Sequence, residues 1–510
     1  MAEGIGRLAK DTAVYGLSSI IGRLLNWMLV PLYVRVLDNT GEYGIVTNLY
    51  GWTALLLVIL TYGMETGFFR FVNRKEETEP MRVYGTALYS TAVTSTLFLT
   101  ACLLFLQPLS RAAGYAAHPE YIGMIAGIAA LDAFCCIPFA YLRYRGKALR
   151  FTGIKLLNIG LNIGLNIFFL VICPWLHRLH PASMEWFYRP DYGAGYIFVS
   201  NAFASVLVFL VLLPDLLPGL RAKMDLQRLK PMLTYSFPVL ILGVAGIFNQ
   251  SADKILFPFL FEDRAYANAQ LGIYGACFKI AVVMVMFIQA FRYAYDPFIF
   301  AKNREQDSRH AYAQVMKYFI ICSLALFLGV MFYIDLLKYF VEPAYYPGLS
   351  VVPVVMLGEL FYGIYFNLSV WYKLTDRTVW GGRFSTIGCV MTVAIILLFV
   401  PRYGFMACAW ASFASNLLMM TLSYFTGQKK YPVAYDLRSA GRYGLLAAGL
   451  YVAGMCPPIE NIYLRLSYRT ALWLLLAGYI VKKELPLRDI PCIGSRLERM
   501  KKKYFTQTNK

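Results

Sequence analysis

The sequence predicts an all-α polytopic membrane protein with fourteen transmembrane helices, and three observations support that fold class. Of its 510 residues, 59% are hydrophobic and 15% are charged, whereas soluble domains carry about 25% charged residues. Apolar segments recur along the whole chain, and each is long enough to cross a bilayer core of ~30 Å as a helix. Lysine and arginine are concentrated in alternate loops, as expected of a multi-span protein.

The predicted spans are joined by loops too short to form a domain. No cleavable signal peptide is predicted, because the N-terminus lacks a small-residue cleavage site and runs into a full-length span. The fourteen spans cover residues 12–37, 43–64, 83–106, 121–142, 152–173, 193–214, 231–257, 271–296, 315–334, 349–372, 384–400, 404–426, 440–456 and 462–481.

The basic residues predict the orientation of the chain. About three quarters of the 48 lysines and arginines fall in loops on one side of this topology, together with the C-terminal tail. The positive-inside rule places that side, and both termini, in the cytoplasm. The same distribution explains the net charge of +19, so no nucleic-acid partner is expected.

An internal repeat divides the spans into two sets of six, followed by two more. Residues 42–44 (Glu-Tyr-Gly) are matched by 273–275 (Ile-Tyr-Gly), and 190–193 (Pro-Asp-Tyr-Gly) by 401–404 (Pro-Arg-Tyr-Gly). An even number of spans in each half makes the repeat parallel, with its axis along the membrane normal. We therefore predict two six-helix bundles around a central cavity, two additional helices and a basic cytoplasmic tail, at residues 1–220, 221–430, 431–482 and 483–510.

The first predicted span carries an arginine near its middle. Arg23 lies more than ten residues from either end of the span, too far for its side chain to reach an interface. Tyr15, Ser19 and Asn26 lie on the same helical face. Intramembrane arginines usually face a protein-lined or watery interior. We interpret Arg23 as a cation that contacts substrate in the central cavity.

Further polar residues within the spans are candidates for substrate contact. Lys279 and Arg292 both lie in the eighth span but on different faces of it, and Lys254 is close enough to a span end to snorkel. Three amides spaced four residues apart form a stripe that predicts cavity lining or hydrogen bonding between helices. These amides are Asn158, Asn162 and Asn166.

Four acids in or near the spans admit two interpretations. Glu65, Asp132, Asp253 and Glu359 could titrate during ion coupling, because desolvation favours the neutral carboxyl. They could equally be counter-ions of the cations. In that second interpretation, Arg23 pairs with Asp132 or Glu359 and holds the bundle together.

The sequence shows no catalytic motif. It contains neither a P-loop nor a nucleophile elbow, and the scattered cysteines form no CxxC pair, so no cofactor or metal is expected. A membrane-embedded glycosyltransferase or polymerase is the competing enzyme class. Such an enzyme normally carries acids on a substantial outer loop, and Asp38 and Glu42 on a short turn give that interpretation little support.

The order and spacing of several motifs resemble a known family. The opening pattern of Pro31-Leu-Tyr33 followed by Glu-Tyr-Gly at 42–44 looks like the start of bacterial polysaccharide flippases. Residues 400–409 (VPRYGFMACA) resemble the family pattern P-x-Y-G-x-x-G-A, with Met406 where the family often has glycine. These flippases handle precursors of O-antigen, capsule or exopolysaccharide. They belong to the multidrug/oligosaccharidyl-lipid/polysaccharide exporter superfamily, and the resemblance covers nearly the whole chain.

The resemblance implies a function in polysaccharide biosynthesis. A flippase of this family moves a lipid-linked oligosaccharide, carried on an undecaprenyl-pyrophosphate-type lipid, across the bacterial inner membrane by alternating access. The partners implied are membrane lipids, H⁺ or Na⁺ as a coupling ion, a polysaccharide polymerase and glycosyltransferases. A lipid II flippase and a multidrug/cation antiporter of the same superfamily are the alternatives. Drug antiporters usually have twelve spans and acidic cavities, so Arg23 and the two extra spans argue against a drug antiporter.

Overall fold

The computed structural model describes residues 21–74, 77–302, 308–375 and 377–484, and every regular element in this part of the chain is a helix. Residues 21–28 are helical, with Tyr15 and Ser19 outside the described residues. The first half contains α1 (Val30–Val36), α2 (Thr40–Thr61), α3 (Met64–Val72), α4 (Pro80–Leu104), α5 (Leu106–Ala113), α6 (Pro119–Tyr144), α7 (Ala148–Ile167), α8 (Cys173–Leu179), α9 (Pro181–Met184) and α10 (Gly195–Arg221).

The remaining helices begin at residue 226. They are α11 (Leu226–Leu256), α12 (Arg264–Lys302), α13 (Ser308–Phe332), α14 (Ile334–Leu337), α15 (Val351–Leu368), α16 (Val370–Leu374), α17 (Val379–Tyr403), α18 (Phe405–Lys430), α19 (Leu437–Met455) and α20 (Ile462–Glu484). A π-helical turn follows α7 at Phe168–Ile172. Short 3-10 turns occupy Pro190–Tyr192, Phe257–Leu260, Lys338–Phe340 and Pro343–Ser350.

The structure confirms the all-α, multi-span fold class. Eleven helices of the described chain are long and apolar enough to cross a membrane, the first covering Thr40–Val72 and the last Phe405–Lys430. The predicted span at 12–37 begins outside the described residues. The helices α19 and α20 match the last two predicted spans but are not among the eleven. The count of fourteen therefore stays a prediction.

Side-chain caps fix where two of these helices begin. Asn39 accepts a hydrogen bond of 3.0 Å from the backbone N–H of Glu42 and starts α2. Asp225 accepts bonds from the backbone N–H groups of Gln227 and Arg228 and starts α11. The N–H of Arg228, and then its guanidinium, lower the pKa of Asp225 because these bonds favour the charged carboxylate.

The chain forms two compact units. One contains residues up to 300 together with 340–430, and within it α11 packs against α2 of the first half and α17 of the second. The helices α4, α6 and α10 pack together, as do α15, α17 and α18. Buried apolar side chains fill the space beside α3, among them Phe68, Tyr84, Ile137 and Met232. The first unit holds all the residues of the candidate site.

Two helices of this unit touch backbone to backbone at the repeated motif. A Cβ on Gly44 of α2 would overlap the carbonyl oxygen of Asn268 in α12. A Cβ on Gly272 of α12 would overlap the carbonyl oxygen of Thr40 in α2. Only glycine permits so close an approach. We call this contact the glycine crossing.

The second compact unit contains residues 301–339 and 431–510, within which α13 packs against α19 and α20. Asp335 forms ion pairs with Arg469 at 2.8 Å and Arg465 at 3.0 Å. Lys317 and Glu484 pair at 2.6 Å. The predicted basic tail after residue 484 lies outside the described residues, and the domain boundaries proposed from the repeat stay predictions.

Candidate functional site

A cavity of about 360 Å³ in the first unit is lined by five charged residues of its helices. We call it the charged chamber. Its charged residues come from the helical residues 21–28 in the first half of the chain and from α11, α12 and α15 in the second half. They are Arg23, Asp253, Lys254, Arg292 and Glu359. Amides complete the lining at Asn249, Gln250, Gln289 and Asn416.

One acid of the charged chamber is neutralised by neighbours on the protein. The Nζ of Lys254 lies 3.2 Å from Oδ1 of Asp253, and the hydroxyl of Tyr274 donates a bond of 2.6 Å to Oδ2. The carboxylate of Glu359 makes neither an ion pair nor a hydrogen bond with the described residues. Its carboxylate is thus left to face the cavity.

The two arginines of the charged chamber lack an acidic partner. Arg23 is exposed to the cavity, and its guanidinium makes no ion pair or hydrogen bond within the described chain. The guanidinium of Arg292 lies 4.3 Å from the ring centroid of Phe366. Arg23 and Arg292 interact electrostatically as like charges. An anion between them would relieve that repulsion, so the chamber is suited to bind a phosphate-like group.

A second cavity of about 360 Å³ adjoins the first. We call it the amide chamber, because three amides and three tyrosines supply most of its polar groups. These are Asn26, Asn162, Asn201, Tyr33, Tyr43 and Tyr50. Lys279 is the cation that lines this chamber and not the charged chamber. Ser251, Lys254 and Phe278 line both chambers and form their common wall.

Hydrogen bonds hold part of the amide chamber in place. Asn166 donates to Asn162 Oδ1 at 2.6 Å, and Asn201 donates to the hydroxyl of Tyr50 at 3.2 Å. The side-chain amide of Asn26 and the hydroxyl of Tyr33 have no hydrogen-bond partner among the described residues. They remain available to a ligand.

The structure brings seven of the predicted site residues to these chambers. Arg23, Arg292, Asp253 and Glu359 line the charged chamber. Asn26, Asn162 and Lys279 line the amide chamber. Lys279 and Arg292 thus face different cavities, in keeping with their different helical faces.

Four predicted residues line neither chamber. Glu65 pairs with Arg143 at the end of its helix, and Asp132 accepts a bond of 3.0 Å from Ser205. Asn166 is fully buried and bonded to Asn162, while Asn158 is half-buried one turn away along α7. Arg23 therefore pairs with neither Asp132 nor Glu359 in the described chain. The ion pair that would hold the bundle together in the second interpretation is absent from the described residues.

The structure adds Lys254 to the residues of the site. Its position in the sequence was compatible with a side chain that snorkels, and the structure places Lys254 in the lining of both chambers, where it pairs with Asp253. The signal in the sequence was the polar run on α11 from Asn249 to Lys254, which also contains Gln250, Ser251 and Asp253. No cluster of three or more metal-ligating side chains occurs within the described ranges.

Comparisons with known proteins agree with this architecture. The polysaccharide biosynthesis protein family matches residues 8–131. A solved structure described as the lipid II flippase MurJ in an inward closed conformation has a TM-score of 0.70 at 11% identity, covering 93% of this chain and 99% of that one. No curated protein sequence is similar enough to count as a match.

Two further solved structures are multidrug resistance MATE transporters of the MOP superfamily. The inward-facing one has a TM-score of 0.63 at 13% identity, covering 80% of this chain and 94% of that one. The outward-facing one has a TM-score of 0.59 at 14% identity, covering 83% and 94%. The chain has the fold of the MurJ and MATE transporters, and its residues 8–131 match the polysaccharide biosynthesis protein family, in agreement with the resemblance inferred from the sequence.

Proposed function

We propose that this chain is a flippase that moves a lipid-linked oligosaccharide on a pyrophosphate carrier across the bacterial inner membrane by alternating access. The observation that carries the proposal is the pair of arginines, Arg23 and Arg292, in one cavity without acidic partners among the described residues. A diphosphate needs charge compensation while it is out of water, and planar guanidinium groups supply it through paired hydrogen bonds.

The charge balance of the chamber supports an anionic substrate over a cationic drug. Asp253 is occupied by Lys254 and Tyr274, so Glu359 alone is left to oppose the two arginines. Lys279 adds a further cation in the neighbouring chamber. A cation antiporter would present the opposite balance.

A lipid II flippase is the second candidate, favoured by the fold shared with MurJ over 93% of this chain. It would use the same arginine pair, because lipid II also carries a pyrophosphate. The two candidates differ in the sugars attached, and the match to the polysaccharide biosynthesis protein family favours the first.

The proposal is tested by replacing Arg23. Arg23→Ala should reduce export of cell-surface glycan about ten- to a hundredfold, because a charge-assisted contact contributes ~1.5–3 kcal/mol. Arg23→Lys should restore only part of the loss, since the ammonium cannot grip two phosphate oxygens in a plane. Glycan output and the amount of protein in the membrane are measured in the same cells.

Arg402→Ala provides the control, because Arg402 is exposed at the end of α17 and lines neither chamber. It should export glycan at the wild-type level. Normal export by Arg23→Ala at normal abundance would contradict substrate contact by Arg23. A fall in abundance that matches the fall in export would instead assign Arg23 a role in stability.

A further inference from the structure

We propose that the amide chamber binds the first sugar of the carrier, the one attached directly to the pyrophosphate, and so selects which glycan is moved. This inference rests on the proposed function. It is independent of Arg23, since it concerns the neighbouring cavity and the neutral part of the ligand.

The chemistry of the amide chamber differs from that of the charged chamber. Asn26, Asn162 and Asn201 each offer both a donor and an acceptor, which is what a sugar hydroxyl requires. Tyr33 and Tyr50 add hydroxyls and aromatic faces against which the apolar face of a sugar ring can pack. A diphosphate carries no donor of its own, so acceptor oxygens of amides would not serve it.

Some of these groups are held ready and others are unused by the protein. Asn166 fixes Asn162 through a bond of 2.6 Å, and Asn201 is fixed on Tyr50 at 3.2 Å. The side-chain amide of Asn26 has no hydrogen-bond partner among the described residues. A preorganised pair of amides beside a free one matches the pattern of a binding site in which a few polar groups orient the ligand.

The position and volume of the amide chamber limit what it can hold. Ser251, Lys254 and Phe278 line both chambers, so the sugar and the phosphates of one ligand would bind in neighbouring cavities. Its volume of about 360 Å³ is at the lower end of small-molecule cavities. That volume suits a single sugar next to the phosphates better than a long oligosaccharide.

The test compares two ligands on the full chain in lipid nanodiscs. One is undecaprenyl pyrophosphate and the other is undecaprenyl pyrophosphate bearing one hexose from the cell's own glycan. The ratio of their Kd values is the sugar preference, and the wild type should bind the sugar-bearing ligand at least tenfold more tightly. Asn26→Ala and Asn162→Ala should each lower this preference about three- to tenfold, the share of one or two hydrogen bonds, and leave Kd for the bare carrier unchanged.

Asn158→Ala is the matched control, because Asn158 belongs to the same stripe on α7 but lines neither chamber. It should retain the wild-type preference. Asn26→Ala removes no hydrogen bond within the described chain, so its effect is separable from folding. Arg23→Ala should weaken both ligands equally and leave the preference unchanged.

Two results would overturn the inference. One is equal binding of the two ligands by the wild type, and the other is equal weakening of both ligands by the asparagine variants. If the bare carrier still binds in an Arg23-dependent manner in either case, the proposed flippase function stands and only the sugar site fails. If the wild type binds neither ligand, the proposed function itself fails.

Discussion

Two carboxylates of the charged chamber have different surroundings and therefore different expected roles. Asp253 is buried and held by Lys254 and Tyr274, whereas Glu359 faces the cavity without a protein partner in the described chain. A carboxylate that is already paired gains little from a bound proton or Na⁺. The unpaired one gains charge compensation from either, so we expect ion coupling at Glu359 and a structural role for Asp253.

Charge-neutral variants distinguish these roles. Glu359→Gln should keep protein abundance and abolish the dependence of transport on an imposed H⁺ or Na⁺ gradient, measured in proteoliposomes. Asp253→Asn should lower abundance and thermal stability instead, because it leaves the ammonium of Lys254 inside the protein without its partner. A Glu359→Gln transporter that still responds to both gradients would refute the assignment.

At the scale of elements, the repeated motif lies at the glycine crossing, a contact that the sequence alone does not reveal. The repeat at residues 42–44 and 273–275 was visible from sequence alone. The contact between these two segments was not visible, because periodicity identifies helices but does not show which helices touch. Gly44, the last residue of the first copy, lies against the backbone of Asn268, and Gly275, the last residue of the second copy, lies against the side chain of Thr47.

Substitution at the glycine crossing should be costly. Gly44→Ala places a Cβ where the carbonyl oxygen of Asn268 lies, so the backbones must move apart. Overpacking of this kind costs ~1–3 kcal/mol, and we expect a lower melting temperature in detergent. Gly160→Ala on α7 is the matched control, because nothing lies within 4 Å of the added Cβ. Equal melting temperatures for the two variants would contradict the close approach.

The stripe on α7 shows where helical periodicity stops being informative. Residues four apart advance 400° around a helix, so each step drifts by about 40°. Across Asn158, Asn162 and Asn166 the drift is about 80°. One amide of the three therefore reaches the amide chamber, while Asn166 turns inward to support it. Helical spacing therefore placed the three amides on one helix but could not distinguish which of them lines the cavity.

At the scale of the whole molecule, charge and hydropathy predict the fold class but not the contacts between side chains. The all-helical, many-span fold followed from composition and apolar segment length, and the eleven apolar helices agree with it. The surroundings of Lys254 did not follow from composition, because they depend on how α11 packs against α2 and α17. Site residues on the first unit come from segments more than 300 residues apart in sequence, such as Arg23 and Glu359, and no local pattern reports such a meeting.

The predicted orientation has a direct test. Reporter fusions after Glu79, Gly146, Asp225 and Arg438 should report the cytoplasm. Fusions after Thr40, Ala117, Asp191 and Glu262 should report the opposite side. This follows from the positive-inside distribution of lysine and arginine. A single internal site on the wrong side would require a different span count from that point onward.

The glycine crossing also has a consequence for how the two halves could separate. Most helix contacts interlock, and parting them forces side chains through new rotamers. Here Gly44 and Gly272 present bare backbone to a carbonyl of the opposite helix, so the surfaces that meet are smooth. A helix contact without interlocking side chains can separate and form again with no change of rotamer, and only the shape of the two backbones then determines how the helices realign. We expect the glycine crossing to favour repeated separation of the two helices over a permanently closed contact.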